Sequence, residues 1–243
     1  MPHFLIKKEQ INNKEITITE DDNFFHLTKS LRAKVGQKVK FIDENQTVYL
    51  SCITKIDKKS LKAEIIESYK TNRILKSNIC LIQSILMNDG QNLLIANATQ
   101  TGVKEIFPII SDNCAVSLSA LKSKKEKWEK IAYENFKQCE RGDMPKINEI
   151  SNLKETLLKF KKENIIIYAE KNSNITLKKA LENITPSDKI AILIGPEGGF
   201  SDSEFEYFEK ENFKLVSLGN MIYKAPNAVV AGLYGVISLL ENN

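Results

Sequence analysis

From residue 79 onward the chain alternates short apolar runs with segments of helical pattern, and this alternation restricts the architecture more than any other feature. The apolar runs lie at 79–85, 105–110, 165–170, 189–194 and 213–218. Helical patterns cover 90–100, 122–139, 153–162, 175–183, 202–211 and 227–241. The runs are nearly continuous in Ile, Leu and Val rather than alternating with polar residues. Strands of that kind are buried on both faces, which happens when helices cover both sides of a parallel sheet. The segment therefore predicts an α/β domain with a mostly parallel sheet. Two helix starts carry local signals. Ser201 followed by Glu204 is a capping box, and Pro226 suits a first helical position.

The first part of the chain reads differently. Residues 38–43, 46–56 and 60–67 are short β-rich runs, separated by Asp43-Glu44-Asn45 and Asp57-Lys58-Lys59-Ser60 turns. A helical segment at 21–30 precedes them, and Gly36 interrupts the chain after it. This is the pattern of a small β-barrel over residues 1–72, followed by a larger domain over 73–243, with the polar, basic stretch 68–78 as the linker.

Composition excludes several classes. Hydrophobic content of 42% and charged content of 27% are globular values. No apolar run reaches the ~18 to 20 residues that a membrane span needs. The N-terminal Met-Pro-His-Phe-Leu-Ile-Lys-Lys lacks the order of a signal peptide. Cys52, Cys80, Cys114 and Cys139 stand far apart, with only His3 and His26 besides. That spacing predicts neither a zinc site nor a disulfide framework, and the expected location is the cytoplasm. The net charge of +4 permits nucleic-acid binding. Among 35 basic residues only Arg32, Arg73 and Arg141 are arginine. The guanidinium is a rigid fork that Lys cannot copy, so these three are candidates for phosphate, base or carboxylate contacts.

The most informative local stretch is 190–204, Ile-Ala-Ile-Leu-Ile-Gly-Pro-Glu-Gly-Gly-Phe-Ser-Asp-Ser-Glu. A buried strand runs into a glycine-rich turn and then into a capped helix, the place where open α/β sheets bind ligands. On its residues alone the turn is either an ordinary β–α connection or a ligand loop. Glu197 argues against a phosphate cradle, and no G-K-[ST] or G-x-G-x-x-G occurs. A carboxylate among backbone groups suits a cationic or hydroxyl-bearing ligand better. A second stretch, 218–240, opens Leu-Gly-Asn-Met-Ile-Tyr-Lys-Ala-Pro-Asn-Ala and continues as a nearly all-apolar helix. Its Ala228, Ala231, Gly232 and Gly235 would let another helix approach closely, in a core or, as expected here, at a subunit interface.

These stretches resemble the RsmE family of the SPOUT trefoil-knot methyltransferases, through Leu-Ile-Gly-Pro-Glu-Gly-Gly-Phe-Ser-Asp-Ser-Glu at 193–204 and the Leu218-Gly219 segment with its terminal helix. Supporting segments are similar too: His26-Leu-Thr-Lys-Ser-Leu-Arg32 then Gly36, Ala98-Thr-Gln-Thr-Gly-Val103 then Pro108, and Gln138-Cys-Glu-Arg141 then Pro145. The family's L-G-x-x-I-L-R-x-E-T-A stands here with Lys224 for the Arg and Pro226-Asn227 for the Glu-Thr pair, and its E-L-G with Gln100-Thr101-Gly102. The resemblance implies a knotted α/β methyltransferase domain preceded by a PUA-like β-barrel. It implies transfer of methyl from S-adenosylmethionine to N3 of a uridine in 16S ribosomal RNA, within the small ribosomal subunit, by a homodimer. Cofactor contacts would come from Ala169 and Glu170, from Ile194, Gly195, Pro196, Glu197, Gly198 and Gly199, and from Leu218, Gly219, Met221 and Ile222. Lys224, with Arg141 second, would stabilise the uracil anion. His26, Arg32, Gln138 and Arg141 would contact RNA, and no metal is implied. The lysines of the 122–139 helix (Lys122, Lys124, Lys125, Lys127, Lys130, Lys137) would form an RNA track or a solvated face, with Trp128 in the core.

Overall fold

In the computed structural model, residues 2–116, 121, 124–169 and 173–241 are described. They divide into two compact units. The first is Met1–Ile74 together with Phe136–Asp143, and the second is Leu75–Asn135 together with Met144–Asn243.

The first unit is one six-stranded sheet in the order β1-β4-β5-β6-β3-β2. Its strands are β1 (His3–Ile6), β2 (Ile11–Asn12), β3 (Glu15–Thr19), β4 (Lys38–Asp43), β5 (Thr47–Ile56) and β6 (Ser60–Lys70). β1 runs parallel to β4, and the other pairs are antiparallel. Alternate residues from five of these strands and their neighbours (Phe4 and Ile6, Ile16 and Ile18, Phe41, Ile53, Leu61) meet in one core, so the sheet curls over its own face. Each large side chain fully buried there stabilises by about 1.5–3 kcal/mol. The three β-rich runs read from the sequence are β4, β5 and β6, and β6 extends to Lys70, into the stretch expected to be linker. β1, β2 and β3 have no counterpart in the sequence reading, because four-, two- and five-residue strands leave little pattern to read. The helical segment becomes α1 (Asp22–Phe25), whose Asp21 Oδ1 accepts from the Phe24 amide at 2.8 Å. A wide turn closed by the Leu31 amide on the His26 carbonyl follows.

The second unit is an all-parallel sheet in the order β10-β8-β7-β12-β11-β13, with β9 beside β8. The strands are β7 (Asn78–Ser84), β8 (Glu105–Ile110), β9 (Lys146–Ile147), β10 (Ser151–Asn152), β11 (Ile165–Tyr168), β12 (Lys189–Ile194) and β13 (Lys214–Val216). Both faces are buried, as the continuous apolar runs require: Ile190, Ile192 and Ile194 of β12 enter one core, and Ala191 and Leu193 the other. Parallel neighbours need crossovers, supplied by α2 (Asn88–Thr101), α3 (Lys124–Cys139), α4 (Leu153–Leu157), α5 (Leu177–Ala180) and α6 (Asp202–Lys210), with α7 (Ala225–Leu240) ending the chain's regular structure. The helices expected at 153–162 and 175–183 shrink to about one turn each in α4 and α5. Trp128 is buried in α3, as expected.

One expectation is narrowed and one corrected. Gly232 and Gly235 of α7 lie against this chain's own side chains. A Cβ on Gly232 would stand 2.5 Å from Cε2 of Tyr168, and one on Gly235 would stand 2.9 Å from Cδ2 of Leu177. Lys137 is not on a solvated or RNA-tracking face; it is 3% exposed, with its ammonium 5.4 Å over the Phe4 ring. Lys122 lies outside the described residues.

Candidate functional site

A parallel sheet delivers the carboxyl ends of all its strands to one edge, and ligands of open α/β folds bind there. In this sheet β12, β11 and β13 are neighbours, and Tyr168 pairs in register with both Ile194 and Val216. The loops that follow, beginning at Ala169, Gly195 and Ser217, therefore leave the sheet side by side. These are the three loops singled out from the sequence. Glu170 lies outside the described residues. Gly199 at φ +70° and Gly219 at φ +108° take backbone conformations that L side chains rarely adopt, and a Cβ on either would meet nothing within 4 Å. Their glycines are there for conformation and leave neighbouring backbone groups unshielded. Gly195 differs, since a Cβ there would press the Phe200 ring at 3.2 Å.

The 195–199 loop is held from two directions. Oε1 of Glu197 accepts from the Met87 amide at 3.0 Å, at the N-cap of α2, where the helix dipole favours a carboxylate. Nδ2 of Asn113 donates to the carbonyls of Gly198 (3.3 Å) and Gly199 (3.2 Å). Just beyond, Glu204 closes the capping box with Ser201 and also accepts from the Asp112 amide at 3.1 Å. Asp112 Oδ2 accepts from the hydroxyls of Ser201 and Ser203, which hold its carboxyl below the usual range. Sequence reasoning misses Asn113, Asp112 and the Met87 amide. Each lies about a hundred residues from its partner and shares no motif with it.

Beside β11 and β13 the loops border an open cleft of about 710 Å³, lined by Asn174, Ile175, Thr176, Ser217, Gly219 and Asn220 among others. Of the residues singled out from the sequence, only Gly219 lines it. Met221 (72%), Ile222 (78%) and Lys224 are exposed on the segment leading into α7. The Lys224 carbonyl accepts from the Asn227 and Ala228 amides, so its backbone starts the helix while its side chain stands in solvent.

The remaining predicted residues belong to the first unit. Arg32 (φ +49°) and Gln138 are both exposed. Arg141 is buried, with Nε and Nη2 at 3.2 and 3.0 Å from Asp143 Oδ1. His26 Nδ1 lies 3.0 Å from Lys137 Nζ, and its ring meets Phe4 edge-on at 5.5 Å. His26, Lys137 and Phe4 are thus packed together, whereas Arg32 is open to a partner.

Residues 73–236 match the sequence profile of an RNA methyltransferase domain, and residues 18–66 that of an RNA methyltransferase PUA domain. The chain belongs to this family of RNA methyltransferases. Its relatives in the family include the ribosomal RNA small subunit methyltransferase E of Mesomycoplasma hyopneumoniae (strain 232), 33% identical over 87% of this chain and 92% of that one. The enzyme of the same name from Rickettsia conorii is 29% identical over 94% and 91% of the two chains. The crystal structure of the Neisseria gonorrhoeae ribosomal RNA small subunit methyltransferase E bound to S-adenosyl methionine superposes with a TM-score of 0.84, at 25% identity over 99% of this chain and 98% of that one. The fold is accordingly the α/β SPOUT type with a parallel sheet, preceded by a PUA domain, as the resemblance implied.

Proposed function

We propose that the protein methylates N3 of a uridine in small-subunit (16S) ribosomal RNA, using S-adenosylmethionine. The observation that carries this reading is the alignment of three loops at the ends of β11, β12 and β13, two of them with positive-φ glycines. The donor set suits an adenosyl group. Backbone N–H and C=O groups that no side chain shields can read adenine edges, and Glu197, tied to the Met87 amide, keeps the 195–199 turn in place. Bound there, the cofactor supplies a methyl group already activated on sulfonium. The protein's task is alignment, and loops anchored before binding reduce what alignment costs. Uridine N3 must lose its proton to attack. The exposed ammonium of Lys224 would stabilise the negative charge that spreads onto the uracil oxygens. Arg141, engaged by Asp143, is assigned to positioning the 140–143 segment, with Arg32, Gln138 and His26 contacting RNA.

A homodimer fits this reading through a face different from the small-residue stripe. Val230 (40%) and Tyr234 (66%) on α7 and Leu93 (51%) on α2, with Met221 and Ile222, are exposed apolar side chains that a second copy would cover. The place of action would be the cytoplasm, where ribosomal subunits are built. The test is modification mapping of ribosomal RNA from a strain lacking the gene. One N3-methyluridine should vanish from the small-subunit RNA, and return with the wild-type chain but not with Lys224→Ala. An unchanged uridine with a methyl lost elsewhere would reassign the target to another nucleotide. No lost methyl anywhere would refute methylation.

A further inference from the structure

Two glutamines of the second unit occupy places that the apolar pattern reserves for core residues. Leu94, Ile95 and Ala98 of α2 face the core at helical spacing, and Gln91 continues their stripe one turn earlier. On β7, Ile79 and Leu81 enter the same core, and Gln83 is the next residue on that face. Both side chains are buried, Gln83 at 0% exposure and Gln91 at 2%. A Met or Leu would fill either place with no polar group to satisfy, so the two amides need a reason.

Their hydrogen bonds supply one. The Leu86 amide can only donate, and it meets Gln91 Oε1 at 2.9 Å. That fixes the orientation of the Gln91 amide and turns its Nε2 to Gln83 Oε1, also at 2.9 Å. Gln83 is then left with its own Nε2 buried and without an acceptor among the described residues. An orphaned donor opposes folding, so the pair is a poor device for stability alone. What it accomplishes is to hold the Leu86 amide in one place.

Leu86 is the middle of three consecutive amides, each tied to a different element. The Ile85 amide donates to the Ile109 carbonyl of β8 at 2.9 Å, the Leu86 amide to Gln91 of α2, and the Met87 amide to Glu197 Oε1 at 3.0 Å. The turn from β7 to α2 thus connects the sheet to the 195–199 loop. Glu197 is exposed and Met87 is 48% exposed, so burial holds neither of them. Their bond depends on where the Met87 amide points. The Leu86 and Met87 amides are separated by a single Cα, so fixing one limits the direction of the other.

We propose that Gln91, oriented by Gln83, is a positioning residue for the cofactor loop. It sets the Leu86–Met87 turn, and through the Met87 amide and Glu197 it keeps 195–199 in the shape that binds S-adenosylmethionine. The inference rests on the reading that this loop binds the cofactor, and it adds the buried residues that hold the loop from inside the fold.

The test is calorimetric binding of S-adenosylmethionine to the full-length chain in a double-mutant cycle of Gln91→Met and Glu197→Ala. Met keeps the length and volume of Gln while removing both amide bonds. Each single variant should weaken binding at least about fivefold, and the double variant should bind within about twofold of the weaker single one, because both changes break one linkage. Losses that multiply would mean that Gln91 acts independently of Glu197 and would overturn the proposal, as would a folded Gln91→Met with wild-type affinity. Gln91→Glu serves where Gln91→Met does not fold. Protonated, its carboxyl accepts from the Leu86 amide and donates to Gln83 as the native amide does; ionised, it has nothing to donate. Its affinity relative to wild type should be close to one near pH ~5 and fall at least about fivefold towards pH ~9, the range in which buried carboxyls titrate. The same ratio should stay level in the Glu197→Ala chain, and a fall of equal size there would refute the linkage. Wild-type affinity in Glu197→Ala would remove the loop from the cofactor site and the proposal with it. A weakened Glu197→Ala beside an unaffected Gln91→Met would leave the loop in the site and defeat only this inference.

Discussion

Replacing Gly232 by Ala tests whether the small residues of α7 serve the chain's own packing. In an exposed helix interior, Gly→Ala stabilises by about 1 kcal/mol, because Ala restricts the unfolded chain and favours the helix. Here the new Cβ would sit 2.5 Å from Cε2 and 2.9 Å from Cδ2 of Tyr168, about 1 Å inside ordinary carbon contact. Tyr168 cannot retreat easily. It is 7% exposed, lies on β11 between β12 and β13, and donates from its hydroxyl to the Gly232 carbonyl at 2.9 Å. Overpacking costs about 1–3 kcal/mol, and displacing the ring forfeits a hydrogen bond worth about 1 kcal/mol. The steric and polar losses outweigh the helical gain, leaving a net loss of about 2 kcal/mol. At roughly 2–4 °C per kcal/mol for a chain of this size, the melting temperature should fall by about 6 °C. Gly235→Ala is the control, since it meets the flexible end of the half-buried Leu177 and should shift stability by less than about 1 kcal/mol. Thermal unfolding followed by circular dichroism reads both. A Gly232→Ala melting temperature at or above wild type would refute the packing argument.

Three further outcomes are expected. The depressed pKa of His3 makes stability acid-sensitive: the contribution is whole above pH 6.5, and it is lost between 6.5 and about 4 as the unfolded chain takes up a proton that the fold refuses. That gap corresponds to about 3 kcal/mol, so chemical denaturation of His3→Phe across this range should show a flatter pH profile than wild type, and parallel profiles would contradict it. Gly199→Val forces a β-branched residue to φ +70° in a place with no steric neighbour, so calorimetry should find S-adenosylmethionine affinity reduced at least tenfold in a chain whose circular dichroism is unchanged. Tyr234→Lys tests the proposed homodimer by placing a charge on the exposed face of α7: light scattering should report a dimer for wild type and a monomer for the variant, and a monomeric wild type or an unchanged mass would refute the proposal.

Features set by neighbours along the chain are legible in the amino-acid pattern. The apolar runs of β8 and β12 have the same bounds in the sequence and in the sheet, because a strand buried on both faces needs nearly every residue apolar. The Ser201–Glu204 capping box is equally local, since both of its hydrogen bonds close within three residues. The glycine turn after β12 stands out for the same reason. Elements whose partners lie far away escape such reading. β1 is four residues long and becomes a strand through its parallel pairing with β4, a contact that no local period encodes.

Local pattern alone was enough for the parallel sheet, the glycine-rich turn and the capped helix beyond it, because hydrophobic period, turn chemistry and capping act over a few residues. What those pieces face was settled only by the assembled fold. A stripe of Ala and Gly reads the same whether a partner helix or Tyr168 lies against it, and here it is Tyr168. Lys137 and Arg141 read as surface cations, yet they are buried, because Phe4 and His26 enclose the one and Asp143 engages the other. The tie from Glu197 to the Met87 amide likewise spans 110 residues of chain. Burial and pairing of this kind are properties of three-dimensional neighbourhoods, and one-dimensional pattern carries no record of which distant residue supplies the other half.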